Sequence, residues 1–281
     1  MKIGIVGLGL IGGSLAKAIK KNTSHDVFGY DLNSEVVTAA LAQEAIDGSF
    51  VPEEMARFDV IILGLYPDTT ISFCMDNLGN FRKGGLVFDT CGIKAAVVDA
   101  LEGPMAEAGV RFIGCHPMAG REFSGFDYSI DNLFDKASMI MTPTDRTPMS
   151  AVKEVSALSY ETGFARCVMS SPEEHDRIIA FTSQLAHVVS SAYVKSPSLM
   201  KQSGFSAGSF RDLTRVAKLN EDMWTTLFML NRGPLIDELD HIIKALSDYR
   251  DALSTEDSER LRALLREGRL LKEKSNKSLG K

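Results

Sequence analysis

The spacing of apolar positions in this chain changes character near residue 170. Before it, apolar runs of strand length alternate with amphipathic stretches; after it, the period is helical throughout. Lys2–Val6 reads as a buried strand that runs into a glycine-rich turn, Gly7-Leu8-Gly9-Leu10-Ile11-Gly12-Gly13-Ser14, and then an amphipathic helix over Leu15–Lys20. Further strands are predicted at Val27–Tyr30, Asp59–Leu65, Gly85–Asp89, Arg111–Cys115, Ala137–Thr142 and Ala165–Met169, with helices starting near Ser34 and Pro67. This alternation predicts an α/β protein with a doubly wound, mostly parallel sheet over residues 1–170. Ligands of such sheets bind at the carboxyl ends of the strands.

Ser171-Pro172-Glu173-Glu174 combines an N-cap serine, proline at the first helical position and acids in the first turn, so a long helix is predicted to start there. At about 100° per residue, Asp176, Ser183 and His187 fall within roughly 40° of one another, while Ile178, Ile179, Phe181, Leu185, Val188 and Val189 make much of the helix apolar. Aligned polar groups on such a helix are expected to line a site; the plainer alternative is a buried hydrogen-bond network. His175 is expected to point about 100° away from Asp176, in a structural or supporting role. Helical spacing continues over 234–253 and 256–271, so 171–281 is predicted to be an all-helical domain whose end, 272–281, is frayed.

The glycine turn follows a strand and opens a helix, which is the context its chemistry needs. Gly7 allows the tight turn, Gly9 lets a pyrophosphate approach, Gly12 lets helix pack on strand, and the helix start offers free N–H groups around Leu10 and Ile11. The second strand ends in Asp31, at ribose-reading distance from the glycines. A carboxylate there accepts from ribose hydroxyls and repels a 2′-phosphate, so a Rossmann-type domain that binds NAD rather than NADP is expected. The plainer reading of Asp31 is a cap on the turn before Ser34.

Composition narrows the class. A chain of 281 residues, 44% hydrophobic and 24% charged, suits a soluble protein of two domains. The net charge of -6 offers no field for nucleic acid. Apolar runs are too short to cross a bilayer and the N-terminal one too short for a signal sequence, so a cytoplasmic protein is expected. Cys74, Cys91, Cys115 and Cys167 are isolated, which predicts reduced packing thiols and no metal site.

Two loops on the cofactor edge carry chemistry: Asp89-Thr90-Cys91-Gly92-Ile93-Lys94 and Gly114-Cys115-His116-Pro117-Met118-Ala119-Gly120. His116, held at a strand end by Pro117, is the candidate general base, since neutral imidazole can take a hydroxyl proton as hydride departs. Its plainer role is bonding local backbone. Arg211 and Arg215 lie one helical turn apart, and either would clamp a carboxylate or simply carry surface charge. Trp224 is expected in the core.

Gly7-Leu8-Gly9-Leu10-Ile11-Gly12-Gly13-Ser14-Leu15, His116-Pro117-Met118-Ala119-Gly120, Glu174-His175-Asp176 and the Ser183-to-His187 segment closely resemble the prephenate and arogenate dehydrogenase family in order and spacing, up to about residue 250. The resemblance implies NAD-dependent oxidation of the ring hydroxyl of prephenate with loss of carbon dioxide, giving 4-hydroxyphenylpyruvate, or the corresponding conversion of arogenate to tyrosine. It implies His116 as the catalytic histidine, Asp176, Ser183 and His187 facing substrate and cofactor, Arg215 rather than Arg211 on the substrate, and a homodimer formed through the helical region.

The chain departs from the family at two places. A frequent D-x-G-S-x-K pattern has Gly92 in place of its serine, and S-H-L-P-H reads Ser183-Gln184-Leu185-Ala186-His187. Thr90, Ser124 or a water would have to replace the lost hydroxyl. A β-hydroxyacid dehydrogenase is a competing reading, disfavoured because such enzymes use a lysine of the helical domain. An NAD-binding regulatory protein without catalysis is another, raised by Gly92 and opposed by His116, Asp176, His187 and Arg215. No further βαββαβ segment follows, so any feedback by tyrosine is expected at the active site.

Overall fold

In the computed structural model, residues 1–121 and 123–278 are described. Eight strands form one sheet: β1 (Lys2–Val6), β2 (Asp26–Tyr30), β3 (Gly48–Ser49), β4 (Val60–Leu63), β5 (Leu86–Asp89), β6 (Arg111–Pro117), β7 (Ser138–Thr142) and β8 (Arg166–Met169). Their order is β3-β2-β1-β4-β5-β6-β7-β8. The neighbours are parallel except β6 and β7. The expected strands are all present; β3 was not anticipated, because two residues carry no readable period.

Helices α1 (Leu10–Asn22), α2 (Ser34–Ala42), α3 (Pro67–Asp76), α4 (Ala95–Glu107) and α5 (Met149–Glu161) pack on the sheet. Alternation along the strands divides the core between the two faces. Ile3 and Ile5 of β1 and Val60 and Ile62 of β4 join Leu15 and Ile19 of α1 and Val152 and Val155 of α5. Val6, Ile61 and Leu63 join Val97, Leu101 and Met105 of α4 on the other face. Burying each such side chain contributes on the order of 1.5–3 kcal/mol.

The connection from β6 to β7 holds only a short 3₁₀ turn at Phe126–Tyr128. A parallel return needs a crossover, usually a helix, whereas this segment comes back along the same edge. The resulting antiparallel ladder pairs His116 with Ile140 and Pro117 with Met139, which fixes His116 at the carboxyl edge.

Beyond β8 come α6 (Pro172–Ile179), a π-turn at Ala180–Gln184, α7 (Leu185–Tyr193), α8 (Gly208–Thr214) and α9 (Glu221–Leu230). Ser171 caps α6 by accepting from Glu174 N–H at 3.1 Å, with Pro172 at the first helical position. These helices belong with the sheet to one compact unit, Met1–Asn231. A second unit starts at Arg232 and contains α10 (Arg232–Ser254) and α11 (Ser258–Ser278). Within it, Arg260 reaches Asp248 at 2.8 Å and Tyr249 donates to the Leu264 carbonyl at 3.3 Å. Ile236, Ile243, Leu246 and Leu253 of α10 remain exposed. Among the described residues no helix is long and apolar enough to cross a membrane.

Candidate active site

The turn after β1 is shaped by close backbone approach. Gly7 has φ 86°, and a Cβ on Gly12 would lie 1.9 Å from the Gly7 carbonyl oxygen, so neither position accepts a side chain. A Cβ on Gly9 would meet nothing within 4 Å: that glycine borders open space at the start of α1. No side chain caps α1 and no acid stands in its first turn, so the N–H groups around Leu10 and Ile11 are available to an anion. Asp31 accepts from Leu8 N–H on one oxygen and Asn33 N–H on the other, both at 2.9 Å. The carboxylate is therefore oriented by backbone beside the glycine turn, and the turn-capping and ribose-reading roles coexist. These residues fit a dinucleotide.

His116 lies farther along the same edge. Its Nδ1 is 2.9 Å from Nε2 of His175, and Nδ1 of His175 is 2.7 Å from the Asp176 carboxylate. That carboxylate also accepts from the backbone N–H groups of Lys94 at 2.8 Å and Ala95 at 2.9 Å. Asp176 thus supplies from α6 the cap that α4 lacks locally. Below them, Lys94 and Asp89 form a fully buried ion pair, and Lys94 Nζ also donates to the Cys115 carbonyl at 2.5 Å. Asp89 accepts from Cys91 N–H at 2.8 Å, joining the two loops singled out in the sequence.

Burial, together with the nearby His175 and Lys94, holds the His116 pKa well below the usual 6.5. The ring is therefore neutral at neutral pH and competent as a base. Burial also pushes up the thiols of Cys91 and Cys115, which keeps them unreactive.

A second group of side chains forms on α7 to α9. His187 donates from Nδ1 to the Ser183 carbonyl at 2.8 Å, and its ring lies on Trp224 with centroids 3.9 Å apart. Burial is the main cause of its lowered pKa; the Ser183 bond opposes this and Arg215 adds to it. Arg215 ends α8 and is exposed. Arg211, also exposed, precedes it on the same helix.

Two expectations need correction. Asp176 does not share a stripe with Ser183 and His187: the π-turn inserts an extra residue between them, and the Asp176 side chain turns onto α4 and His175. His175 does not point away from the chemistry but contacts His116 directly. Trp224, expected in the core, is half-buried against His187. The π-turn itself is held by Asn231, which donates to the Asp176 carbonyl and to Gln184, each at 2.8 Å. The Glu174-His175-Asp176 run was the available signal for His175; its partner was not readable.

Residues 15–168 match the family described as prephenate dehydrogenase, nucleotide-binding domain. Residues 171–267 match that described as prephenate dehydrogenase, dimerization domain. The chain is 33% identical to the prephenate dehydrogenase of Bacillus subtilis, over 92% of this chain and 71% of that one. It is 30% identical to the cyclohexadienyl dehydrogenase of Zymomonas mobilis, over 92% and 90%. The prephenate dehydrogenase of A. aeolicus, solved with hydroxyphenyl propionate and NAD+, superposes with a TM-score of 0.88 at 29% identity, covering 98% of each chain.

Proposed function

The chain belongs to the prephenate dehydrogenase family, and from that premise we propose that it oxidises prephenate with NAD to 4-hydroxyphenylpyruvate and carbon dioxide. The observation that carries this reading is a neutral His116 at the same sheet edge as a glycine cradle with an oriented Asp31. Gly7, Gly9, Leu10, Ile11, Gly12 and Asp31 hold the cofactor: backbone N–H groups take the pyrophosphate and Asp31 the ribose hydroxyls. Bound there, NAD accepts the hydride.

His116 Nε2 takes the proton of the ring hydroxyl as the hydride leaves the carbon bearing it. The dienone so formed loses carbon dioxide because the ring becomes aromatic. Arg215 provides positive charge for a substrate carboxylate, with Ser183 and His187 beside it; the electrostatic proximity of Arg215 to His187 supports this grouping. Asp176 acts through His175 and α4 as a positioning residue.

The functional division falls at residue 170, where the two family matches meet, giving an NAD-binding domain over 1–170 and a helical domain over 171–281. The protein works as a homodimer through that helical domain, as the dimerization description and the exposed apolar residues of α10 support. It acts in the cytoplasm. The test is the rise of NADH absorbance when the protein is mixed with NAD and either prephenate or arogenate, repeated with NADP. Turnover of prephenate with NAD is expected; turnover of arogenate alone makes it an arogenate dehydrogenase, and none with either acid returns it to an NAD-binding regulator.

A further inference from the structure

We propose that His175 and Asp176 make His116 the outer end of a proton-holding chain: as His116 Nε2 takes the substrate's hydroxyl proton, His116 Nδ1 passes its own proton to His175, where it rests beside Asp176 until the phenol forms. This rests on the dehydrogenase reading above.

The hydrogen bonds fix the starting arrangement. Asp176 accepts from Lys94 N–H and Ala95 N–H, and it faces Nδ1 of His175, so the proton in that contact sits on His175 Nδ1. Nε2 of His175 then carries a lone pair and accepts from Nδ1–H of His116 at 2.9 Å. His116 is left with an unprotonated Nε2, the nitrogen that faces Gly92. Without the carboxylate, nothing in the chain of contacts would select this tautomer for either ring.

Electrostatics favour the inner position for the extra charge. The charged groups around the two rings are Lys94, entering α4, Asp89 of β5, and Asp176 of α6. A cation on His116 is opposed by burial and by Lys94. A cation on His175 instead lies 2.7 Å from a carboxylate. The His175 side chain is 0% exposed and that of Asp176 4%, so the inner end is closed to bulk water.

The reaction needs no such outlet. The hydroxyl O–H bond breaks as an N–H bond forms at His116 Nε2, and the Nδ1–H bond of His116 is replaced by one at His175 Nε2. Hydride leaves with its electron pair to NAD. When the bond to the ring carboxylate breaks, its electron pair enters the ring and the carbonyl oxygen becomes a phenolate. The phenolate recovers the proton from His116 Nε2, and His175 returns its own to Nδ1. Substrate, product, carbon dioxide and cofactor balance with no net proton released.

The full-length protein labelled with 15N in its histidine rings, without ligand, tests this directly. H116N and H175Q assign the signals. At about pH 8 both rings should carry their proton on Nδ1, and on acidification His175 should become doubly protonated while His116 stays neutral with its proton moved to Nε2. Either ring protonated on Nε2 at about pH 8, or an imidazolium at His116 beside a neutral His175, overturns the proposal. Kinetically, the side-chain amide oxygen introduced by H175Q can still accept from His116 but cannot take a proton. The kcat of this variant should fall at least about tenfold with KM for NAD changed less than about twofold; a smaller fall in kcat also overturns the proposal. Absence of wild-type turnover would defeat the dehydrogenase reading, while the nitrogen spectra would still decide the proton arrangement.

Discussion

A Cβ built on Gly92 would lie 3.8 Å from Nε2 of His116. The loop after β5 therefore passes the reactive edge of the histidine without a side chain, at the position where relatives often carry a serine. Its nearest contacts are ordinary van der Waals distances, so G92S should fold normally. A hydroxyl there adds a hydrogen bond to the reacting oxygen, and kcat/KM for prephenate should rise about 2- to 10-fold, as expected from roughly 0.5–1.5 kcal/mol. A fall would mean that the added hydroxyl occupies Nε2.

Replacing the base itself has a larger effect. H116N should lower kcat by on the order of 10² to 10⁴ while NAD binding, followed by fluorescence titration, stays nearly unchanged. Near-normal turnover would remove His116 from the chemistry.

Acid sensitivity follows from the same residue. His116 and His187 have folded pKa values below 6.5, so as pH falls the unfolded chain takes up protons first. Their contribution to stability is complete above about pH 6.5 and is lost progressively as pH drops toward the folded values. Urea midpoints should thus decline between about pH 7.5 and about pH 5.5, and less steeply in H116N. An identical slope in the variant would show that other groups dominate.

The buried pair beneath the site should be costly to break. K94M leaves Asp89 as an uncompensated buried carboxylate and removes the donor to the Cys115 carbonyl. Urea unfolding should show a loss of about 3–5 kcal/mol. A loss under about 1 kcal/mol would mean that water reaches the vacated space.

Cofactor choice is read at the end of β2. D31A removes the carboxylate that faces the ribose and the acceptor for Leu8 and Asn33 N–H. The ratio of kcat/KM with NAD to that with NADP should fall about tenfold or more, partly through weaker use of NAD. An unchanged ratio would assign ribose reading to another group.

Much of the sheet was legible because its strands carry period-2 and wholly apolar runs bounded by glycine and proline. β1, its glycine turn and α1 were readable as one unit, and so was the chemical edge. What escaped depended on contacts between distant segments. The partner of Asp176 is the start of α4, and that of His175 is a ring on β6. Neither relationship leaves a local pattern. The π-turn escaped because one extra residue in a helix has no signature in apolar spacing, and the straight-helix geometry assumed for Asp176, Ser183 and His187 failed there.

That extra residue makes the helix intolerant of changes in length. Deleting any one residue of Ala180–Gln184 would let the segment relax to a regular α-helix and rotate α7 by about 100°. His187 would leave the face of Trp224, although every side chain named in the site would still be encoded. In a library of single-codon deletions, this five-residue stretch should therefore be as sensitive as the glycine turn, while point substitutions at exposed Phe181 and Thr182 pass unnoticed.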